Sequence, residues 1–397
     1  MIYIDILLAV IAAFLLTPVF VIFLQVIFAC IPKEINSKEL EKNRLSNYSN
    51  IAVLIPAHNE SLGIVATLNS IKPQLRPSDR MVVIADNCTD DTAQIALANG
   101  AEVIERQDAV CRGKGYALDF GIRHLSHNPP SVVVVIDADC TLQEDSLSAL
   151  ANYTLESNRP VQALDLMYAK GCDLKSRIAE FAWCVKNWVR PLGYAKLGLP
   201  CQLMGTGMAF PWSMISNANL ANGSIVEDMK LGLELAIAET PPVFYLGSQV
   251  SSYFPETSEV QSGQSTRWEH GHLAMILSEA PRLFILGIIR GDKNLLAMAL
   301  DLSVPPLALL VTLIFGYAVM MGLALMIFNA GHVALQITLL GIYLLIFAIG
   351  IAWWGWGRRI ISFSTMILVP IYVLSKIPHY FNFLFKRQKT WNKTERD

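Results

Sequence analysis

Val132-Val133-Val134-Val135-Ile136-Asp137-Ala138-Asp139 is the stretch that decides how this chain is read. Five β-branched residues in a row describe a strand buried on both faces, the habit of parallel sheets. Asp137 and Asp139 follow at once, so the strand delivers two carboxylates at its end. Upstream, Ile51–Ile55, Met81–Ala85 and Ala101–Glu105 are further short β-branched runs. Helical stretches near 61–72, 90–99 and 114–126 separate these runs. The alternation predicts an α/β domain, a mostly parallel sheet with helices on both faces. Ligands of such sheets bind beyond the carboxyl ends of the strands. The polar motifs fall there: Pro56-Ala57-His58-Asn59-Glu60, then Asp86-Asn87, then Asp137-Ala138-Asp139.

Two like charges so close are costly unless a cation offsets them. Carboxylate oxygens suit a hard ion such as Mg²⁺ or Mn²⁺, although Asp pairs also cap helices and loops. Arg112-Gly113-Lys114-Gly115 precedes a helix, where amides and Lys114 suit a phosphate or a polar nucleotide group. It lacks P-loop spacing, and a plain turn is the simpler account. Gly205-Thr206-Gly207 either admits a ligand close to the backbone or is a turn. Glu227-Asp228 opens the helical stretch Met229–Ala238, as ordinary capping or with Asp228 as a general base for an acceptor hydroxyl. Gln264-Ser265-Thr266-Arg267-Trp268 sets a fork-shaped cation, suited to pyrophosphate, beside an aromatic face suited to a sugar ring. In isolation it is equally a solvated Arg next to a core Trp. His58, His270 and His272 support no metal site.

With 53% hydrophobic residues and a mean hydropathy of +0.41, the 397-residue chain is too apolar for an ordinary soluble enzyme. Its net charge of −2 gives no sign of nucleic-acid binding. Seven cysteines without a CxxC pair form neither a disulfide framework nor a zinc pattern, and reduced thiols are expected. Residues 6–31 are long enough to cross roughly 30 Å of hydrocarbon. Asp5, the lack of a basic residue before it and the length of the run argue against a cleaved signal. Lys33, Lys38, Lys42 and Arg44 follow, which places the N-terminus outside and the next domain in the cytoplasm.

Two further spans are read at 305–328 and 333–356, joined by Asn329-Ala330-Gly331-His332, and Arg358-Arg359 returns inside. Pro370 and Pro378 interrupt the apolar residues 360–385. The tail holds Lys386, Arg387, Lys389, Lys393 and Arg396. Leu174, Ile178, Phe181, Val185 and Trp188 make one apolar helical stripe, read as lying on the membrane, although a core helix shows the same spacing. The expected organisation is a transmembrane helix over 1–32 and a cytoplasmic domain over 33–272, with an interfacial helix at about 172–190. Interfacial helices over 273–304, two transmembrane helices over 305–356, and a re-entrant or interfacial segment with a basic tail over 357–397 complete it. Asp301 is expected in headgroup water, or lining an acceptor path.

In this order the motifs resemble those of the membrane-embedded family-2 glycosyltransferases: the processive synthases of cellulose, chitin, hyaluronan and poly-N-acetylglucosamine, and their non-processive relatives. The resemblance covers roughly residues 50–272 and implies the nucleotide-binding GT-A fold. It implies Pro56, Asn59, Glu60 and Asp86 around the nucleoside, and Lys114 near the uracil or diphosphate. Asp137 and Asp139 match the DxD motif for Mg²⁺ or Mn²⁺, with Asp139 on the ion and Asp137 also at the donor. Asp228, after Glu227, matches the base of the TED motif, with Val226 in place of Thr. Gly205, Thr206, Gly207 and Trp268 fall at the acceptor, and Arg267 of the QxxRW motif begun by Gln264 falls on the leaving pyrophosphate.

The reaction so implied is inverting transfer from a nucleotide sugar, UDP by resemblance, giving a β linkage at the cytoplasmic face of the inner or plasma membrane. The QxxRW motif leans to a growing polysaccharide, with other polysaccharide-export subunits as partners. The small number of spans leans to one sugar added to a lipid or polyprenyl-linked acceptor. A catalytically silent sugar-nucleotide sensor or scaffold subunit is the alternative of another class.

Overall fold

The valine run is the fourth strand, in chain order, of a mixed eight-stranded sheet. This is a computed structural model, and it describes residues 2–32, 50–171, 173–255 and 258–385. The basic residues following the first span, and those of the tail, lie outside the described residues.

After the long helix α1 (Ile2–Ala29), the chain enters β1 (Ile51–Ala57), α2 (Ile64–Ile71), β2 (Arg80–Asp86), α3 (Thr92–Ala98), β3 (Glu102–Arg106), α4 (Lys114–Leu125) and β4 (Val132–Val135). These four strands are parallel, with Leu54 opposite Val135 and Ile55 opposite Val83. Alternate side chains face opposite ways along a strand, and both faces are covered. Ile51, Val53, Ile55, Val132 and Val134 pack on α2 with Ile64 and Leu68. Ala52, Leu54, Val82, Ile84, Val133 and Val135 pack on α4 with Leu118 and Ile122.

The second half of the sheet comes from β5 (Thr141–Leu142), α5 (Ser146–Ser157), β6 (Val161–Tyr168), α6 (Leu174–Cys184), a π-turn at Val185–Val189, α7 (Arg190–Lys196), β7 (Met208–Pro211), α8 (Trp212–Ile215), α9 (Glu227–Ile237) and β8 (Val243–Tyr253). β7 runs antiparallel to β4 and β6, while β8 is parallel to β6. The periodicity reading did not find these strands. β7 is four residues long and ends on Pro211, β6 carries Asp165, and β8 carries Gly247 and Ser248.

The chain ends in α10 (Ser258–Arg290), α11 (Lys293–Leu302), α12 (Leu307–Phe328), α13 (His332–Ala352), a second π-turn at Trp353–Gly357, α14 (Phe363–Ile367) and α15 (Val369–Phe385). Four segments are long and apolar enough to cross a membrane: Ile2–Ala29, Gly263–Arg290, Leu307–Phe328 and His332–Gly357. The last of these joins α13 to its π-turn. The boundary expected at 272/273 falls inside α10, one continuous helix of 33 residues. Pro370 does not break its segment; it stands in the first turn of α15, where its missing N–H is no loss.

α1, α12 and α13 form a bundle. Tyr317 donates to the carbonyl of Leu8 at 2.7 Å, and the Gly331 amide to Asp5 Oδ1 at 2.7 Å. The start of α1 therefore lies at the same end as the α12–α13 turn. At its other end α1 meets α7 so closely that a Cβ on Gly193 would overlap the carbonyl oxygen of Gln25.

Candidate active site

A cavity of about 630 Å³ opens beyond the carboxyl ends of β1, β2 and β4 and continues to the first turn of α12. Its walls carry Pro56, Glu60, Asp86, Lys114, Asp137, Asp139, Gly205, Thr206, Glu227, Asp228, Gln264, Arg267 and Trp268. Residues spread over more than two hundred positions in sequence thus meet on one surface.

The loops after the strands are held by their own polar side chains. Asp86 is nearly buried and takes a 2.7 Å ion pair from Arg106 and a 2.9 Å hydrogen bond from the Asn87 amide. Asn59 and Asn87 adopt left-handed backbone at φ 54 and 53, which Asn tolerates. Asn59 bonds to Thr89 on both sides of its amide and stands off the cavity wall. Gly207 is also off the wall; a Cβ there would run into Val250, so this glycine allows strand packing. Both residues shape the site from behind.

At the centre, α4 and α9 begin side by side. A Cβ on Gly115 would lie 2.5 Å from the Leu220 carbonyl oxygen and 3.5 Å from the Cβ of Glu227, so only glycine permits this approach. Lys114 forms an ion pair with Asp137 and donates to the Gly205 carbonyl at 2.6 Å. Asp228 lies against the same glycine: a Cβ on Gly205 would sit 3.3 Å from Asp228 Oδ2 and 3.5 Å from Lys114 Nζ. Burial works to lower the Lys114 pKa, but Asp137 first, then Glu227, more than offset it and raise it. Burial and the neighbouring Asp228 hold Glu227 well above the usual carboxylate range, against Lys114. Val226, where the resemblance leads one to expect Thr, is 9% exposed and packs under Gly271 of α10.

Asp137, Asp139 and Cys140 bring one ligand atom each within 4.8 Å of one another. Cys140 is buried, and burial followed by the charge of Asp139 pushes its thiol far up, so it stays protonated and is a poor ligand. Two carboxylate oxygens remain. They fit a hard divalent ion, and so does the crowd of Asp137, Asp139, Glu227 and Asp228 on one wall.

α10 supplies the far wall. Gln264 is 5% exposed, and the Trp268 ring lies 5.2 Å from that of Trp183 on α6. Below, Arg190 binds Asp301 at 2.7 Å and Gln25 at 2.8 Å, and Gln25 donates to Asp301 at 2.6 Å. This buried triad ties α7, α11 and α1 together. It corrects the expectation that Asp301 sits in headgroup water, because its side chain is 12% exposed and paired.

Several cavity residues had no site role in the sequence reading. Asp165 accepts from Asn187 at 2.8 Å, and burial raises its pKa to about 7. A lone carboxylate inside the apolar run of β6 was the available signal. Lys186, Tyr372, Lys376 and Tyr380 also line the cavity.

A family model described as "Glycosyltransferase like family 2" matches residues 49–271, more than half of the chain. The chain belongs to glycosyltransferase family 2. It is similar to the 4,4'-diaponeurosporenoate glycosyltransferase of Staphylococcus aureus (strain bovine RF122 / ET3-1), at 34% identity over 118 residues. That match covers 28% of this chain and 30% of the relative, so it spans under a third of either. In fold the chain is similar to the mannosyltransferase PcManGT from Pyrobaculum calidifontis, solved in complex with GDP-Man and Mn²⁺. The TM-score is 0.53 at 13% identity, over 96% of this chain and 100% of the other. The sheet is thus of the GT-A type, with candidate membrane helices around it.

Proposed function

We propose that this glycosyltransferase moves one sugar from a nucleoside-diphosphate donor onto a lipid or lipid-linked acceptor at a membrane surface. The observation behind this reading is the single cavity that joins the strand ends to Pro305, Leu307 and Ala308 at the apolar entrance of α12. A donor seated at Pro56, Glu60 and Asp86 and an acceptor arriving from the apolar end would meet at Asp228. Arg190 and Asp301 line the same cavity as a pair, and the apolar Leu302, Val304 and Leu307 near them suit the chain of a lipid acceptor.

In this reading Asp137 and Asp139 hold Mg²⁺ or Mn²⁺, whose charge, when bound, offsets that of the donor diphosphate. Arg267 and Lys114 take up the negative charge that grows on the leaving diphosphate. Asp228 accepts the proton of the acceptor hydroxyl as its oxygen bonds to the anomeric carbon and the carbon–phosphate-oxygen bond breaks. Attack from the face opposite the leaving group inverts the centre. UDP is the first nucleotide by resemblance; the GDP-Man bound by PcManGT makes GDP the second.

For the membrane, we place α1, α12 and α13 across the bilayer and the catalytic domain on the cytoplasmic side. Phe14, Val319, Met326 and Ile346 stay exposed on the outer faces of these helices, which suits lipid. α10 is equally apolar, but both its ends touch the catalytic domain. Arg267 lies at the cavity, and Arg290 donates at 2.7 Å to the carbonyl of Ile237 at the end of α9. A helix held so lies along the interface rather than crossing it.

The second reading, a polysaccharide synthase with export partners, is supported by the complete QxxRW motif on the cavity wall. The test is nucleoside-diphosphate release from UDP- and GDP-sugars by purified protein in lipid nanodiscs with Mn²⁺, with the product sized. The expected result is one added sugar, dependent on supplied lipid acceptor and abolished by EDTA. A long glycan made without added lipid would transfer the proposal to the synthase reading.

A further inference from the structure

We propose that Lys186 is the headgroup anchor of the acceptor, and that the acceptor joins its sugar- or hydroxyl-bearing part to its apolar chain through a phosphate. This rests on the transferase reading and adds the chemical class of the lipid.

Lys186 stands in the π-turn between α6 and α7 and faces the cavity. Three cations of the wall are paired, Lys114 with Asp137, Arg190 with Asp301 and Lys376 with Glu269, whereas Lys186, like Arg112 and Lys175, is in no ion pair among the described residues. Among the described residues the Lys186 ammonium has no carboxylate or carbonyl at bonding distance, and it lies 5.3 Å from the centre of the Trp183 ring. The extra residue of a π-turn re-aims the side chains after it, and such turns concentrate at functional sites.

The position matters as much as the vacancy. Lys186 is exposed to the cavity, and the protein around it lowers its pKa. The charges acting on it are those of Asp228, Arg190, Asp165 and Asp301, so the candidate base and two members of the triad are both within its electrostatic reach. The ammonium is open to the cavity and able to take an anion from it, and among the described residues the protein supplies none in contact. Trp183 adds an indole N–H that also lacks an acceptor. The same wall carries the apolar Ile22, Pro305 and Leu307. Hydroxyl at Asp228, oxyanion at Lys186 and hydrocarbon beyond is the order of groups in a phosphate-linked lipid.

The experiment measures equilibrium binding of radiolabelled phytanyl phosphate and of phytanol to the full-length protein in nanodiscs, with UDP and GDP binding read in the same preparation. Wild type is expected to bind the phosphate at least ten-fold more tightly than the alcohol. Lys186→Gln is expected to abolish that preference and Lys186→Arg to keep it, nucleotide binding being retained in both. Equal binding of the two lipids by wild type, or a preference that survives Lys186→Gln, overturns the proposal. So does inorganic phosphate that competes as strongly as phytanyl phosphate, because the chain would then not be recognised. Absence of nucleotide binding in wild type would instead sink the transferase reading, whatever the lipids do.

Discussion

The two ends of the cavity are built differently. At the strand ends, polar side chains are satisfied by partners close in sequence: Asp86 by Arg106 and Asn87, Asn59 by Thr89. At the end we assign to the membrane the walls come from α1, α6, α7, α10, α11 and α15, and the polar contacts reach across the chain. Gln25 meets Asp301, and Lys376 meets Ser265. The first end is preorganised for a ligand of fixed shape, as a nucleotide is. The second consists of helices docked on one another, with Lys186 among the cations that have no bonded anion among the described residues. A variable acceptor is accommodated more readily by such docked helices than by loops already bonded within themselves.

Asp228 lies at the seam, so its replacement affects chemistry without dismantling either end. Asp228→Asn is expected to lower kcat on the order of a thousand-fold, with nucleotide binding unchanged by calorimetry. Loss of nucleotide binding as well would mean that the two ends are not separable.

The triad tests the membrane end alone. Asp301→Ala leaves the Arg190 guanidinium buried without its carboxylate, and removing one partner of a buried pair costs about 3–5 kcal/mol. The expected result is a large fall in detergent thermal stability that nucleotide and Mn²⁺ do not repair. Replacing both with apolar residues, Arg190→Leu with Asp301→Leu, should recover most of that loss.

Asp165 is a nearly buried residue of the cavity wall, and its titration gives a smaller, signed effect. Burial raises its pKa from 3.8 to about 7, opposed by Lys186. Between these values the native chain holds a proton that the unfolded chain has released, so stability falls as pH rises through the window. Asp165→Asn is therefore expected to stabilise the protein on the order of 2–4 kcal/mol at pH 8. At pH 4 it should be nearly neutral. Denaturation midpoints at the two pH values check it; equal gains at both would remove the titration as the cause.

The same division explains what could be read in advance. The parallel half of the sheet was legible because β1, β2 and β4 are nearly continuous apolar runs rich in β-branched residues, β3 keeps Val103-Ile104, and helical stretches separate the four. The motifs at its ends were legible because strand ends are where ligands bind. β6, β7 and β8 were not, since Asp165, Pro211 and Gly247 break the local signal and only pairing with distant strands makes them strands. Lys186 looked like one of several basic residues on the polar side of a helix. Its orientation into the cavity depends on the π-turn, and no hydrophobic spacing reports that. Arg190 and Asp301 looked like surface charges for the same reason, because 111 residues separate them and only the docking of α7 on α11 pairs them.

α15 makes the mildest test. Lys376 reaches Glu269 at 3.2 Å and Ser265 at 3.0 Å. Ser265 and Glu269 are one helical turn apart on α10, with a 2.8 Å hydrogen bond between them. Gln264, Arg267 and Trp268 belong to the same two turns, so the contact braces the wall that carries them. Both partners are a little under one-fifth exposed, and a pair so placed contributes about 1 kcal/mol or less. Lys376→Met is expected to raise the KM for lipid acceptor two- to three-fold and to leave the KM for donor alone. If donor and acceptor shift together, α15 braces the whole cavity, and the line between its two ends lies nearer the strands than Asp228.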